Sequence, residues 1–126
     1  MTGYPQTLQD QAKELMRHHE WTDAATLLER DILDHPTDPW SRMYLGSCHY
    51  ELRSYDTALE HFRAAERLAP NESTALGLQG DVFDARGDWE TAGELYQRAL
   101  AMNPNDTLAQ NNMGRWTAES FGRRRP

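Results

Sequence analysis

Apolar and small residues recur along this chain at three- and four-residue steps, the spacing of a helix face, in stretches divided by short polar breaks. The pattern predicts seven helices, near residues 6–18, 21–34, 39–52, 55–69, 73–86, 89–102 and 107–119, with a frayed tail over 120–126. A longer step overlies the helical one. Pro36, Pro70 and Pro104 stand 34 residues apart. Four further series keep that register: Trp21, Tyr55 and Trp89; Ala24, Ala58 and Ala92; Leu28, Phe62 and Tyr96; and Ala12, Gly46, Gly80 and Gly114. Five series in one register mark an internal repeat.

Each series has a physical reason. A proline cannot continue a helix, so Pro36, Pro70 and Pro104 close the units. Polar side chains able to cap the next helix follow each one: Thr37-Asp38-Pro39, Asn71-Glu72-Ser73 and Asn105-Asp106-Thr107. Asp38 before Pro39 reads as an N-cap followed by a first-turn proline. A second break falls inside each unit, at His19-Glu20, Arg53-Ser54 and Gly87-Asp88. Each unit is therefore two helices of roughly 13–15 residues, about 20 Å long. The small residues of the Ala12/Gly46/Gly80 and Ala24/Ala58/Ala92 series let the two helices approach. Phe62 and Tyr96 are expected to fill the space between neighbouring units.

Over about residues 5–119 the chain resembles the tetratricopeptide repeat family. The second unit shows the family pattern as Leu45-Gly46, Ala58, Phe62, Ala65 and Pro70; the third shows Gly80, Phe83, Ala92, Tyr96, Ala99 and Pro104. The first unit departs from it, with Gln11 where Leu45 stands and Asp31 where Ala65 stands, and Gln79 replaces the leucine in the third. The seventh helix repeats Met113-Gly114 and stops, as a solvating cap does. The resemblance implies an all-α, right-handed α-solenoid of about three helix–turn–helix repeats plus a capping helix. It reads as one domain over 1–126, with repeats at about 5–38, 39–72 and 73–106 and the cap at about 107–119.

In this family the first helix of each unit lines a concave groove. The resemblance places there Gln6, Gln9, Lys13 and Met16, then Trp40, Met43, Tyr44, Ser47, Tyr50 and Glu51, then Leu78, Asp81 and Asp84, and finally Asn111, Asn112 and Arg115. Of these, Trp40, Met43, Tyr44, Ser47, Tyr50, Leu78, Asp81 and Asn112 are the expected partner-binding residues. The helix over 39–52 supports this independently. Leu45, Gly46 and His49 belong to a packing face, while Trp40, Met43, Tyr44, Ser47 and Tyr50 recur on a second one. Exposed aromatics and methionine together typify a recognition surface. The alternative for Trp40 and Met43 is packing against the first unit. A family subtype that clamps carboxylates uses Lys, Asn, Asn, Lys and Arg. The matching positions here are Gln9, Lys13, Tyr44, Thr74 and Leu78, none of which has the expected residue.

Charge narrows the partner. The net charge is −7, and without Arg123, Arg124 and Arg125 the rest carries 10 basic and 20 acidic residues. Such a body repels phosphate backbones, so nucleic acid is not an expected partner. No apolar run approaches the ~20 residues that cross a bilayer, so no membrane role is expected. The start lacks the features of a secretory leader, and a cytoplasmic location is the expectation. The expected partner is another protein offering an apolar segment with some positive charge.

No enzymatic chemistry, cofactor or metal site is expected. The five histidines, His18, His19, His35, His49 and His61, show no ligand spacing, and His49 falls in the packing series. The one cysteine, Cys48, reads as a small buried residue. Asp81 and Asp84 share a helix face expected to be solvated. Three functions compete: a scaffold or adaptor holding a peptide segment in the groove, a chaperone for an export substrate, and a self-assembling subunit with weak homo-oligomeric contacts.

Overall fold

The computed structural model describes residues 6–124, the side chain of Arg124 excepted. Seven α-helices follow one another among them: α1 (Leu8–Arg17), α2 (Trp21–Asp34), α3 (Pro39–Glu51), α4 (Tyr55–Leu68), α5 (Thr74–Ala85), α6 (Trp89–Met102) and α7 (Thr107–Arg124). Their starts are set by short polar side chains that cover the open amides of a first turn. Thr7 and Asp10 form a capping box on α1. Asp38 accepts the Trp40 amide at 2.9 Å on α3, ahead of which Pro39 has no amide to satisfy. Asp88 accepts the Thr91 amide on α6, and Asp106 accepts the Leu108 amide at 2.9 Å on α7. Pro36, Pro70 and Pro104 each stand two residues past a helix end.

The turns inside the repeats share one backbone device. His19, Arg53 and Gly87 have φ of 61°, 64° and 86°. They stand 34 residues apart, so the left-handed residue is a repeat position. Only Gly87 adopts that conformation without a steric cost.

The chain forms two compact units, Met1–Leu68 and Ala69–Pro126. In the first, α2 packs against both α1 and α3, α3 against α4, and α1 also touches α3. Its core joins Ala12, Ala24, Ala25, Leu28, Leu45 and Cys48, flanked by Leu15, Met16, Trp21, Leu27, Ile32 and Tyr44. In the second, α6 packs against α5 and α7, and α5 also touches α7. There Leu76, Leu95, Ala99 and Ala109 form the core, with Phe83 and Leu100 against it.

The two helices of a repeat pack closely at the small-residue series. A Cβ on Gly46 would lie 2.5 Å from Phe62 Cε1, and one on Gly80 would lie 2.5 Å from Tyr96 Cε1. Phe62 and Tyr96 therefore fill space inside their own repeats, and Tyr96 also reaches the next unit, where its hydroxyl accepts from Arg115 of α7 at 3.2 Å. In the first repeat the same two positions are Ala12 and Leu28, both fully buried. A larger residue on one helix is matched by a smaller one on the other.

The tail departs from expectation as well. Helix α7 continues to Arg124, beyond the expected end at 119, while residues 125 and 126 lie outside the described residues. Ser120 is buried, and Arg123 approaches Glu119 and Asp84 at 3.9 Å each. Its guanidinium also lies 5.9 Å from the Trp89 ring centroid. A side chain anchored on α5 and α6 keeps the last turn wound.

Candidate functional site

Helix α3 carries five of the expected site residues. It is covered on most of its circumference, with Ser41, Met43, Leu45, Gly46 and Cys48 all buried. Trp40 is 38% exposed, and Tyr44 and Ser47 are half-buried beside it. The Trp40 and Tyr44 rings lie 6.2 Å apart, and Lys13 of α1 holds its Nζ 5.6 Å from the Tyr44 ring. One edge of Tyr44 also packs on the core of the first unit. The Ser47 hydroxyl donates to the Met43 carbonyl at 2.9 Å, so it is engaged on its own helix.

Met43 and Tyr50 stand about 60–80° round the helix from Trp40. Met43 is only 2% exposed, which corrects its assignment to the binding surface. Tyr50 is half-buried with its ring 5.7 Å from that of Tyr55. The second apolar face of α3 is buried at Met43 and partly exposed at Trp40, Tyr44, Ser47 and Tyr50.

A buried polar tie secures this face from behind. The Gln9 amide donates to Ser41 Oγ at 2.9 Å and to Asp38 Oδ2 at 3.1 Å. The Ser41 hydroxyl donates in turn to Asp31 Oδ2. Asp31 is 4% exposed, so the carboxylate standing where the repeat pattern has alanine holds α1, α2 and α3 together.

The second unit presents a different surface. Tyr96 donates its hydroxyl to Asp81 Oδ1 at 2.6 Å, and Arg115 of α7 reaches both Tyr96 Oη at 3.2 Å and Asp81 Oδ1 at 3.4 Å. Burial raises the Asp81 carboxyl above its ordinary range, against the opposing pull of Tyr96 and Arg115. Burial and the Asp81 carboxylate raise the Tyr96 phenol. Burial alone would lower the Arg115 guanidinium, but Tyr96, Asp81 and Asp84 outweigh it and raise it. Asp84 lies beside Arg123. The solvated acidic face expected for Asp81 and Asp84 is thus a set of carboxylates engaged by two arginines of α7. Leu78 is half-buried. Asn112 is 7% exposed, and its Nδ2 has no hydrogen-bond partner among the described residues.

Other reactive groups are quiet. Cys48 is buried, and burial, with Glu51 adding to it, pushes its thiol up to about 11. His49 stacks on His61 at 5.6 Å. Burial, Arg42 and His49 bring the His61 imidazole down to about 4. Among the described residues no three His, Cys, Asp or Glu side chains are placed to hold a metal, and no helix is long and apolar enough to cross a membrane.

The sequence profile of the tetratricopeptide repeat family matches residues 10–73 and, in a second match, 52–107. The chain belongs to the tetratricopeptide repeat (TPR) family. Its fold is the all-α TPR solenoid type, built from helix–turn–helix repeats. A curated human relative, the peptidyl-prolyl cis-trans isomerase FKBP4, is 29% identical over 73 residues, covering 58% of this chain. The chain spans 16% of that relative's length, and 7% and 13% of two others, from Schizosaccharomyces pombe and Bos taurus. Among solved structures, the first TPR of Spaghetti (RPAP3) bound to an HSP90 peptide superposes with a TM-score of 0.79 at 18% identity, over 90% of each chain. PcrH in complex with the chaperone binding region of PopD gives 0.77 at 19%, over 89% of this chain and 84% of that one. TPR domains form a family of protein-interaction scaffolds.

Against the TPR pattern, one packing feature stands apart from the five repeat series. Trp116 occupies the position where the earlier repeats have Cys48 and Val82, and Gly93 the position of Ala25 and Leu59. A Cβ on Gly93 would lie 2.3 Å from Trp116 Cζ2, so the two substitutions are one large-for-small exchange between α6 and α7. Comparing residues 34 apart outside the five main series reveals it.

Proposed function

We propose that this chain is a protein-interaction module that seats an apolar segment of a partner protein on the α1–α3 face of its first unit. The observation that carries the reading is the Trp40–Tyr44 pair. It is left open on the first-helix face of a TPR unit, and Lys13 and the Gln9–Ser41–Asp31 tie fix its surroundings. Aromatic residues with rigid backing dominate binding energy at such surfaces. Ser47 and Tyr50 flank the pair, and Glu51, exposed at the end of α3, favours a basic residue in the segment. Leu78, Asp81, Asn112 and Arg115 form a second, more polar set in the second unit. We read residues 1–126 as a single TPR array with a binding role and no catalytic one.

The test begins with affinity capture and mass spectrometry to name the partner, followed by calorimetric titration. Trp40→Ala should weaken binding about tenfold or more, the loss typical of a central aromatic anchor. Its melting temperature should stay within a few degrees of wild type, because the indole is partly exposed. A folded Trp40→Ala variant with unchanged affinity overturns the assignment. The second reading, a chaperone for an export substrate, draws on the likeness to PcrH. It requires that the captured partner aggregate when expressed without this chain.

A further inference from the structure

Helix α6 places Trp89, Glu90, Gly93, Glu94 and Gln97 on one stripe, and Trp116 of α7 faces it. Gly93 offers no side chain, so the Trp116 ring lies directly on the α6 backbone. The Trp116 indole N–H donates to the Trp89 carbonyl at 2.6 Å, and the two rings stand 5.7 Å apart at 37°. These six residues line a notch of about 260 Å³.

We infer that this notch binds the guanidinium of an arginine carried by a basic segment of a partner protein. Its walls are two indole faces, whose negative quadrupole attracts a cation. Its rim is two exposed carboxylates, Glu90 and Glu94, and neither forms an ion pair with a described residue. The positive end of α6 does not oppose a cation here, because Asp88 caps it and Glu90 lies in its first turn. Trp89 already takes one guanidinium, that of Arg123 at 5.9 Å, which shows that this indole is placed for such a contact. A planar guanidinium stacks on indole and bonds a carboxylate through two N–H groups at once, which an ammonium cannot do. The site lies wholly in the second unit and uses none of the residues assigned to the apolar segment, so each proposal stands or falls alone.

The probe is the blocked tripeptide acetyl-Gly-Arg-Gly-amide, titrated into the whole ¹⁵N-labelled chain. The four tryptophans give four indole N–H resonances, one reporter for each. Those of Trp89 and Trp116 should move saturably while those of Trp21 and Trp40 stay still. The exposed double substitution Glu90→Gln with Glu94→Gln should leave the spectrum folded and weaken binding roughly fivefold, as expected for losing two solvent-facing ion pairs. The lysine analogue of the peptide should bind more weakly than the arginine one. Unchanged affinity in the folded double variant overturns the proposal, as does a response confined to Trp21 and Trp40. Equal binding of the lysine peptide overturns the guanidinium assignment.

Discussion

A single hydrogen decides the spacing of α3 and α4. Gly46 faces Phe62 so closely that Gly46→Ala must push the ring aside, and overpacking of this kind costs about 1–3 kcal/mol. Adding Phe62→Leu recreates the Ala12–Leu28 pairing of the first repeat, so the double variant should recover much of the loss. A double-mutant cycle by chemical denaturation measures the coupling, and additive losses would show that the two positions do not share one space. His61 offers a second test. Its folded pKa is lowered to about 4, while an unfolded histidine titrates near 6.5. The unfolded chain therefore binds more protons between those values, and the contribution is full above about 6.5 and fades as pH falls to about 4. Discounted for partial exposure, the effect is about 1–2 kcal/mol. Comparing His61→Gln with wild type across that range isolates it from the carboxylates, and equal pH slopes would remove the effect. Small-residue pairing was legible in the sequence, because a 34-residue period reports packing directly. The burial of Met43 was not, since two apolar faces on one helix do not say which is covered. The arginines that engage Asp81 and Asp84 come from α7, about 30 to 40 positions away, where no local pattern links them.

At the scale of elements, helix starts and stops were read to within a residue or two, because caps, prolines and breaks are local chemistry. The one large miss was the end of α7, where Arg123 is held by partners on other helices. The intra-repeat turns carry their own prediction. Arg53 holds φ of 64° and is exposed; its amide donates to the Tyr50 carbonyl at 3.0 Å, while its side chain makes no hydrogen bond or ion pair with the described residues. Arg53→Gly matches the third repeat. It removes a left-handed penalty of about 1–2 kcal/mol while adding some unfolded-state entropy, for a net gain of about 0.5–1 kcal/mol. A melting temperature raised by a few degrees is the expected reading, and a fall would mean the arginine makes a contact of value. His19 shares the conformation but stacks on Trp21 at 5.3 Å, so the same change there gives a smaller gain.

For the molecule as a whole, stability is a sum over neighbours, as in any helical array. Deleting residues 107–126 uncovers Leu76, Leu95 and Ala99 where Ala109 sat, and Gly93 where Trp116 lay. The melting temperature should drop while circular dichroism keeps the helical signal of the remaining elements; complete loss of helix would show that α7 is required for the rest to fold. The size-matched pairs Ala12–Leu28, Gly46–Phe62 and Gly80–Tyr96 also bear on how such a chain can be rearranged in evolution or by design. A recombination crossover inside a repeat would set Ala12 against Phe62, or leave a hollow between Gly46 and Leu28. A crossover at the prolines keeps each pair intact, so the exchangeable module runs from proline to proline and not from turn to turn. Two boundaries are exceptions: the last, because a cut at Pro104 parts Gly93 from Trp116, and the first. Asp31, Ser41 and Gln9 form one buried tie across Pro36, and a graft that separates them would strand a carboxylate in the interior. The first two repeats should therefore travel as a pair.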